Sequence, residues 1–301
     1  MILVVDPCPY LERKITGQDF PKSRVSYADS QQTRPAGYGA DMCELAADMN
    51  ESVRLITFLG GNAGDRFETL FVSRGGDVIR EPLRDETQEC FILEEKYKST
   101  QIFTKEPRIT RESVLDFYER YAKEVAESDV VAITRDRRRD EGEAMKLPLI
   151  RYARKKSKPV VVLCDHTDDI DDLVEARPFG IVIDRFALSK LTGKNMQFIG
   201  DVSKALKSLF QERIPLILVT GSDKGAILFF RGEFFHGKHE TEEIEFDEHN
   251  ALFAMATGIL RNYDARMILK LSLAAAKSTD DSEFVDIKSD MNRIEVRKME
   301  V

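Results

Sequence analysis

The chain has 301 residues, 42% of them hydrophobic and 33% charged, with a formal charge of −8. That makes it too apolar for a disordered chain, and long enough for one large α/β domain or two smaller ones. The acidic balance speaks against nucleic acid, and no apolar run approaches a membrane span or a secretory leader, so a cytoplasmic protein with neither nucleic-acid nor membrane partners is expected.

Taken in order, short apolar runs at Ile2–Asp6, Ser52–Leu59, Asp129–Thr134, Pro159–Cys164, Gly180–Asp184 and Pro215–Thr220 read as strands buried on both faces. Amphipathic helices are predicted between them, carried by Phe67/Leu70/Phe71, by Val114/Phe117/Tyr118/Tyr121/Val125 and by Val202/Leu206/Leu209/Phe210. Alternation of this kind predicts an α/β fold with a central, mostly parallel sheet flanked by helices. Arg13–Gln31 and Cys90–Lys105 break the pattern with two-residue alternation and polar turns. They predict a small antiparallel sheet, a lid spanning about 12–33 and 86–106 on a single domain of residues 1–301. The four cysteines, Cys8, Cys43, Cys90 and Cys164, are scattered and read as reduced thiols without a metal-ligand pattern.

One further helix start stands out. Leu252, Ala256 and Ile259 repeat at helical spacing just after Phe246-Asp247-Glu248-His249-Asn250. A turn running into a helix N-terminus favours an anion, because free N–H groups and the helix dipole point outward. Asp247 and Glu248 place two carboxylates there instead. The plainest reading of the pair is helix capping, which would itself occupy the free N–H groups.

Several segments, in order and spacing, resemble the ribokinase-like, or pfkB-type, carbohydrate kinases, in particular the phosphofructokinase and tagatose-6-phosphate kinase branch. Cys8-Pro9-Tyr10-Leu11-Glu12-Arg13 stands where that branch has N-P-A-x-D-R, and Gly37-Tyr38-Gly39-Ala40-Asp41 falls at G-K-G-x-N. Phe58-Leu59-Gly60-Gly61-Asn62-Ala63-Gly64-Asp65 is similar to F-x-G-G-x-x-G-D. Thr220-Gly221-Ser222-Asp223-Lys224-Gly225 resembles the nucleotide-side T-x-G-x-x-G, and Asp247–Asn250 lies at G-A-G-D. The resemblance implies ATP with Mg²⁺, a sugar or sugar-phosphate acceptor held between core and lid, and a homodimer formed through the lid. It also implies that the base is the last residue of the G-A-G-D motif.

The chain departs from that pattern at each working part. Asn250 replaces the base, and Asp247, Glu248 and His249 replace the loop that holds the transferring phosphoryl group. Where the family has P-N-x-x-E, the chain has Ile183-Asp184-Arg185-Phe186-Ala187, which leaves Asp184 as a candidate for a metal-bound water and loses the glutamate at Ala187. Tyr38 replaces a phosphate-binding lysine, Gln88 an arginine, and Asp41 an amide, while Glu12 keeps a sugar-binding carboxylate. Thr220, Gly221 and Gly225 keep the nucleotide-side pattern, and Ser222 replaces a glycine. Arg135–Arg139 reads as a solvated loop or as a new phosphate clamp, and Tyr38 either closes the old pocket or stacks on a different ligand. Loss of a base costs about 10²–10⁴ in rate and loss of one anion-hole donor about 10²–10³. The expectation is therefore a sugar-kinase homologue with lost or greatly weakened phosphoryl transfer, binding a sugar phosphate or nucleotide as a regulatory pseudokinase. Two alternatives stand beside it: an active kinase using Glu248 or His249 as base, and an assembly protein pairing through strand edges at Val25–Ala28 and Phe91–Lys105.

Overall fold

The computed structural model describes residues 1–20, 25–135, 145–210, 213–221, 225–239, 246–276 and 286–300. In chain order the elements are β1 (Ile2–Asp6), β2 (Tyr10–Thr16), β3 (Ser30–Ala36), α1 (Tyr38–Asp48), β4 (Val53–Gly60), α2 (Gly61–Ser73), β5 (Val78–Leu83), β6 (Gln88–Glu95) and β7 (Lys98–Phe103). Then come α3 (Arg111–Glu127), β8 (Val130–Ile133), α4 (Lys146–Lys155), β9 (Val160–Cys164), α5 (Ile170–Ala176), β10 (Gly180–Asp184), α6 (Arg185–Thr192) and α7 (Ile199–Phe210). The chain closes with β11 (Leu216–Thr220), β12 (Ala226–Phe230), β13 (Glu233–His239), α8 (Glu248–Leu260), α9 (Ala265–Ala275), α10 (Ile287–Asn292) and β14 (Ile294–Met299).

Ten strands form the main sheet in the order β14-β13-β12-β11-β10-β9-β8-β1-β4-β5. The strands from β11 to β5 pair in parallel, and β12 to β14 run antiparallel along one edge. All six runs expected as strands form strands, and the expected α/β architecture is present. Left out of that expectation were β5, β13 and β14, which mix apolar with charged or glycine positions because they are partly exposed, and β12, which is an apolar, buried run.

Residues alternate across the sheet, so successive side chains enter opposite cores. One core gathers Val4, Leu55, Ala132, Leu163, Val182 and Leu218 with α1, α2, α8 and α9. The other gathers Val5, Ile56, Ile133, Cys164, Ile183 and Val219 with α3 to α7. Helix α8 is buried on almost every side, from His249 through Gly258, which explains its apolar circumference.

The second sheet has four strands in the order β3-β2-β6-β7. It is mixed rather than antiparallel, because β2 pairs with β6 in parallel. The reason lies in the main sheet: β2 follows β1 and β6 follows β5, and β1 and β5 run the same way, so both chains leave in one direction. Val25–Ala28 is not a strand; it lies in the connection between β2 and β3, with Val25 83% and Tyr27 88% exposed.

Candidate functional site

The alternation that builds the two cores also aims the residues at the strand ends. Asp6, Thr134, Asp165, Asp184 and Thr220 each follow a strand residue of the second core, so they fall on the face covered by α8. The N-terminus of α8 meets this row. A crevice outside the carboxyl ends of parallel strands is the common ligand position in open α/β sheets.

Here α8 caps itself. Asp247 is the N-cap residue, and its Oδ1 accepts from His249 N at 2.8 Å and Asn250 N at 3.0 Å. The capping reading of Asp247 is thus what the structure shows. Two other helices facing the crevice start at glycine and take a carboxylate from elsewhere. Gly37 is the N-cap of α1, and Gly39 N donates to Asp6 Oδ2 at 2.7 Å. A side chain at Gly39 would place its Cβ 2.6 Å from both Asp6 Cβ and Leu55 Cδ1, so the helix approaches the strand only because that position is glycine. Gly60 is the N-cap of α2, and Asn62 N and Ala63 N donate to Glu86 at 3.1 and 3.0 Å.

Glu248 points back over the strand ends. Arg135 bridges it, at 3.3 Å, to Asp165, at 3.2 Å. Burial pushes the Glu248 carboxyl up to about 7, reinforced by Asp184, which faces and hydrogen-bonds it, and opposed by Arg135. Burial also works against ionisation of Asp165, but its bonds from Thr167, with Lys146 and Arg135 nearby, hold that carboxyl below the ordinary value. Asp184 additionally caps α6, accepting from Ala187 N at 2.6 Å. The remaining residues of the arginine loop, 136–139, lie outside the described residues, as does Ser222.

On the acceptor side, Tyr38 lies flat against His249, ring centroids 3.3 Å apart and planes 8° from parallel. The chain's own histidine is thus a stacking partner of Tyr38. Arg34 forks onto Glu12 at 2.8 and 3.2 Å and reaches Asp41 at 2.8 Å. Burial pushes the Asp41 carboxyl up to about 6 although Arg34 opposes the shift, and Asp247 across the crevice adds to it. Gln88 donates to Thr104 O at 2.9 Å. Beside Gln88, between Cys8, Pro9, Phe58 and Ile109, the enclosed space is about 20 Å³, room for roughly one water.

Gly221 follows β11 and Gly225 precedes β12. Gly225 has φ +93° and lies so close to β13 that a Cβ would stand 1.9 Å from Gly237 O. Gly225→Ala is accordingly expected to cost at least about 2 kcal/mol, read as a fall of several degrees in Tm; an unchanged Tm would refute the close approach.

Asp247, Glu248, His249, Asn250, Tyr38, Asp41 and Asp184 therefore meet in one crevice. Sequence reading missed Asp6, Arg34, Glu86 and Asp165, each of which acts on a partner distant in the chain. Only the strand-ending position of Asp6 gave a local signal.

Residues 2–244 match the model of the pfkB family of carbohydrate kinases, and the chain belongs to that family. Its fold is that of solved sugar kinases. A Staphylococcus aureus protein provisionally named a phosphofructokinase is 14% identical over 99% of both chains, with TM-score 0.86. Phosphofructokinase-2 from Escherichia coli, solved with fructose-6-phosphate, is 13% identical over 97% of this chain and 98% of that one, with TM-score 0.81. A carbohydrate kinase from Agrobacterium tumefaciens is 15% identical over 98% and 99%, with TM-score 0.73. No match is found among curated proteins. Among the described residues, no helix is long and apolar enough to cross a membrane.

Proposed function

We propose that this member of the pfkB family has lost or greatly weakened phosphoryl transfer and serves as a ligand-binding or regulatory pseudokinase. The observation that carries the reading is the N-terminus of α8, where Asp247 accepts the two N–H groups that an incoming phosphate needs. The carboxylates also oppose the phosphate by charge, at about 4 kcal/mol per unit pair at 4 Å and an effective dielectric near 20. The Tyr38–His249 stack stands between the acceptor side and that terminus. ATP and Mg²⁺, which the family implies, do not fit these residues: the anion donors are taken, and no group of three or more His, Cys, Asp or Glu among the described residues could hold a metal ion. Calorimetric titration with MgATP and with fructose 6-phosphate should be silent, and coupled assays should show no turnover. Phosphorylation of a sugar phosphate that disappears in Asn250→Ala ends this reading.

One observation favours a second reading, an active kinase with a new base. Glu248, with its carboxyl pushed up to about 7, stands in the range suited to a general base at neutral pH. That version requires a pH–rate profile with one titrating group that vanishes in Glu248→Gln.

Assembly belongs to the same proposal. The small sheet exposes Tyr97 by 87%, Ile102 by 50% and Phe103 by 42%, surface that a second copy of the chain in the cytoplasm would cover. Sedimentation velocity over a hundredfold concentration range tests it, and a monomer throughout would exclude it.

A further inference from the structure

The charges and the unmatched oxygen atoms of the crevice indicate what replaced the phosphate. Among the described residues, Glu12, Asp41, Asp165, Asp184, Asp247 and Glu248 line its two sides, set against the guanidinium groups of Arg34 and Arg135, with Lys146 near Asp165. The two sides act on one another, since Asp247 bears on Asp41 as well as on Glu248. Low-dielectric walls lined by one sign of charge concentrate ligands of the opposite sign.

An independent observation lies beneath the carboxylates. Thr220 is fully buried, and its Oγ1 has no hydrogen-bond partner. It is the register partner of Asp184 on the neighbouring strand, on the same face of the sheet. Asn250 Oδ1, three residues into the self-capped terminus, is a second buried acceptor without a partner. Buried polar atoms are nearly always satisfied, so a pair of orphans beside an acidic pair marks missing donors. A ligand that supplies both N–H donors and positive charge satisfies all of them. The Tyr38–His249 stack at the edge of the crevice adds a π-face, which also attracts cations.

We propose that the crevice between β10, β11 and the N-terminus of α8 binds a small organic ammonium ion, held by Asp184, Glu248 and the Thr220 hydroxyl. This rests on the reading that phosphate binding there is lost. A bare metal ion is the poorer match, because two carboxylates are too few where the described residues hold no metal-type cluster.

The test is calorimetric titration of the full chain with putrescine, tetramethylammonium, MgCl₂ and MgATP at pH 7.5. Putrescine is expected to bind at least tenfold more tightly than tetramethylammonium, which has charge but no N–H donor. Binding should weaken at least tenfold in Glu248→Gln and in Asp184→Asn, and several-fold in Thr220→Val. The asparagine variant keeps an acceptor for Ala187 N, so α6 stays capped, and circular dichroism verifies that each variant folds. Silence with putrescine, equal affinity for tetramethylammonium, binding unchanged in all three variants, or heat with MgCl₂ alone each overturns the ammonium site while leaving the loss of phosphate binding intact. Heat with MgATP overturns that reading and this one together.

Discussion

Asp6→Ala is expected to lower stability by about 3–5 kcal/mol, the largest effect of any single polar substitution near the crevice. Asp6 is fully buried and accepts from Gly39 N at 2.7 Å and Cys8 N at 3.0 Å, with Thr134 Oγ1 at 3.4 Å. Alanine leaves buried donors unsatisfied, at about 1–3 kcal/mol each. It also removes the carboxylate that caps α1, whose own N-cap is glycine without a side chain. Because Tyr38 is the first residue of that helix, the same change should loosen its stack on His249. Asp6→Asn, which retains one acceptor oxygen, should fall between the alanine variant and the native protein. Urea denaturation followed by circular dichroism gives the comparison; a loss below about 1 kcal/mol in Asp6→Ala would show that another group caps α1.

Glu248→Gln is expected to stabilise the protein at pH 8 and to leave it unchanged near pH 4. The Glu248 carboxyl is raised from 4.5 to about 7, with burial as the main cause and Asp184 next. A raised carboxyl favours the folded state below its unfolded value, and that contribution is lost as pH climbs through the folded value. The penalty is therefore fully present above about pH 7. Its ceiling is about 3 kcal/mol for a shift of this size, and the side chain is only 20% exposed, so screening removes little of it. Glutamine keeps a hydrogen bond to Asp184 without the second charge. Thermal melts of both proteins at pH 4, 6 and 8 measure the gap; a constant difference across that range contradicts the buried acidic pair.

Both expectations come from one arrangement. Three helix termini, α1, α2 and α8, face the same region, and each is occupied by a carboxylate of the chain: Asp6, Glu86 and Asp247. In a fold whose relatives handle phosphorylated sugars, such termini are the natural anion positions. Here the chain fills them itself, and Arg34 and Arg135 are turned inward onto its own acids.

From residue order alone, the parallel sheet was legible because its strands are buried on both faces and read as unbroken apolar runs. The self-cap of α8 was legible too, since Asp247 bonds residues two and three places away and local spacing carries that information. Family membership followed from motif order, in particular the glycines at 60, 61 and 64. What stayed hidden depends on contacts across the chain. Asp6 reaches α1 over 33 residues, Glu86 reaches α2 over 24, and Arg135 reaches Glu248 over 113. No periodicity records such distances. The parallel pairing of β2 with β6 was hidden for the same reason, being set by the direction of β1 and β5 in another sheet. Residue types thus determined which groups are present and how each element begins. Only the packed structure decided that the acids would meet, because the energy that holds them together is shared between segments that never adjoin in sequence.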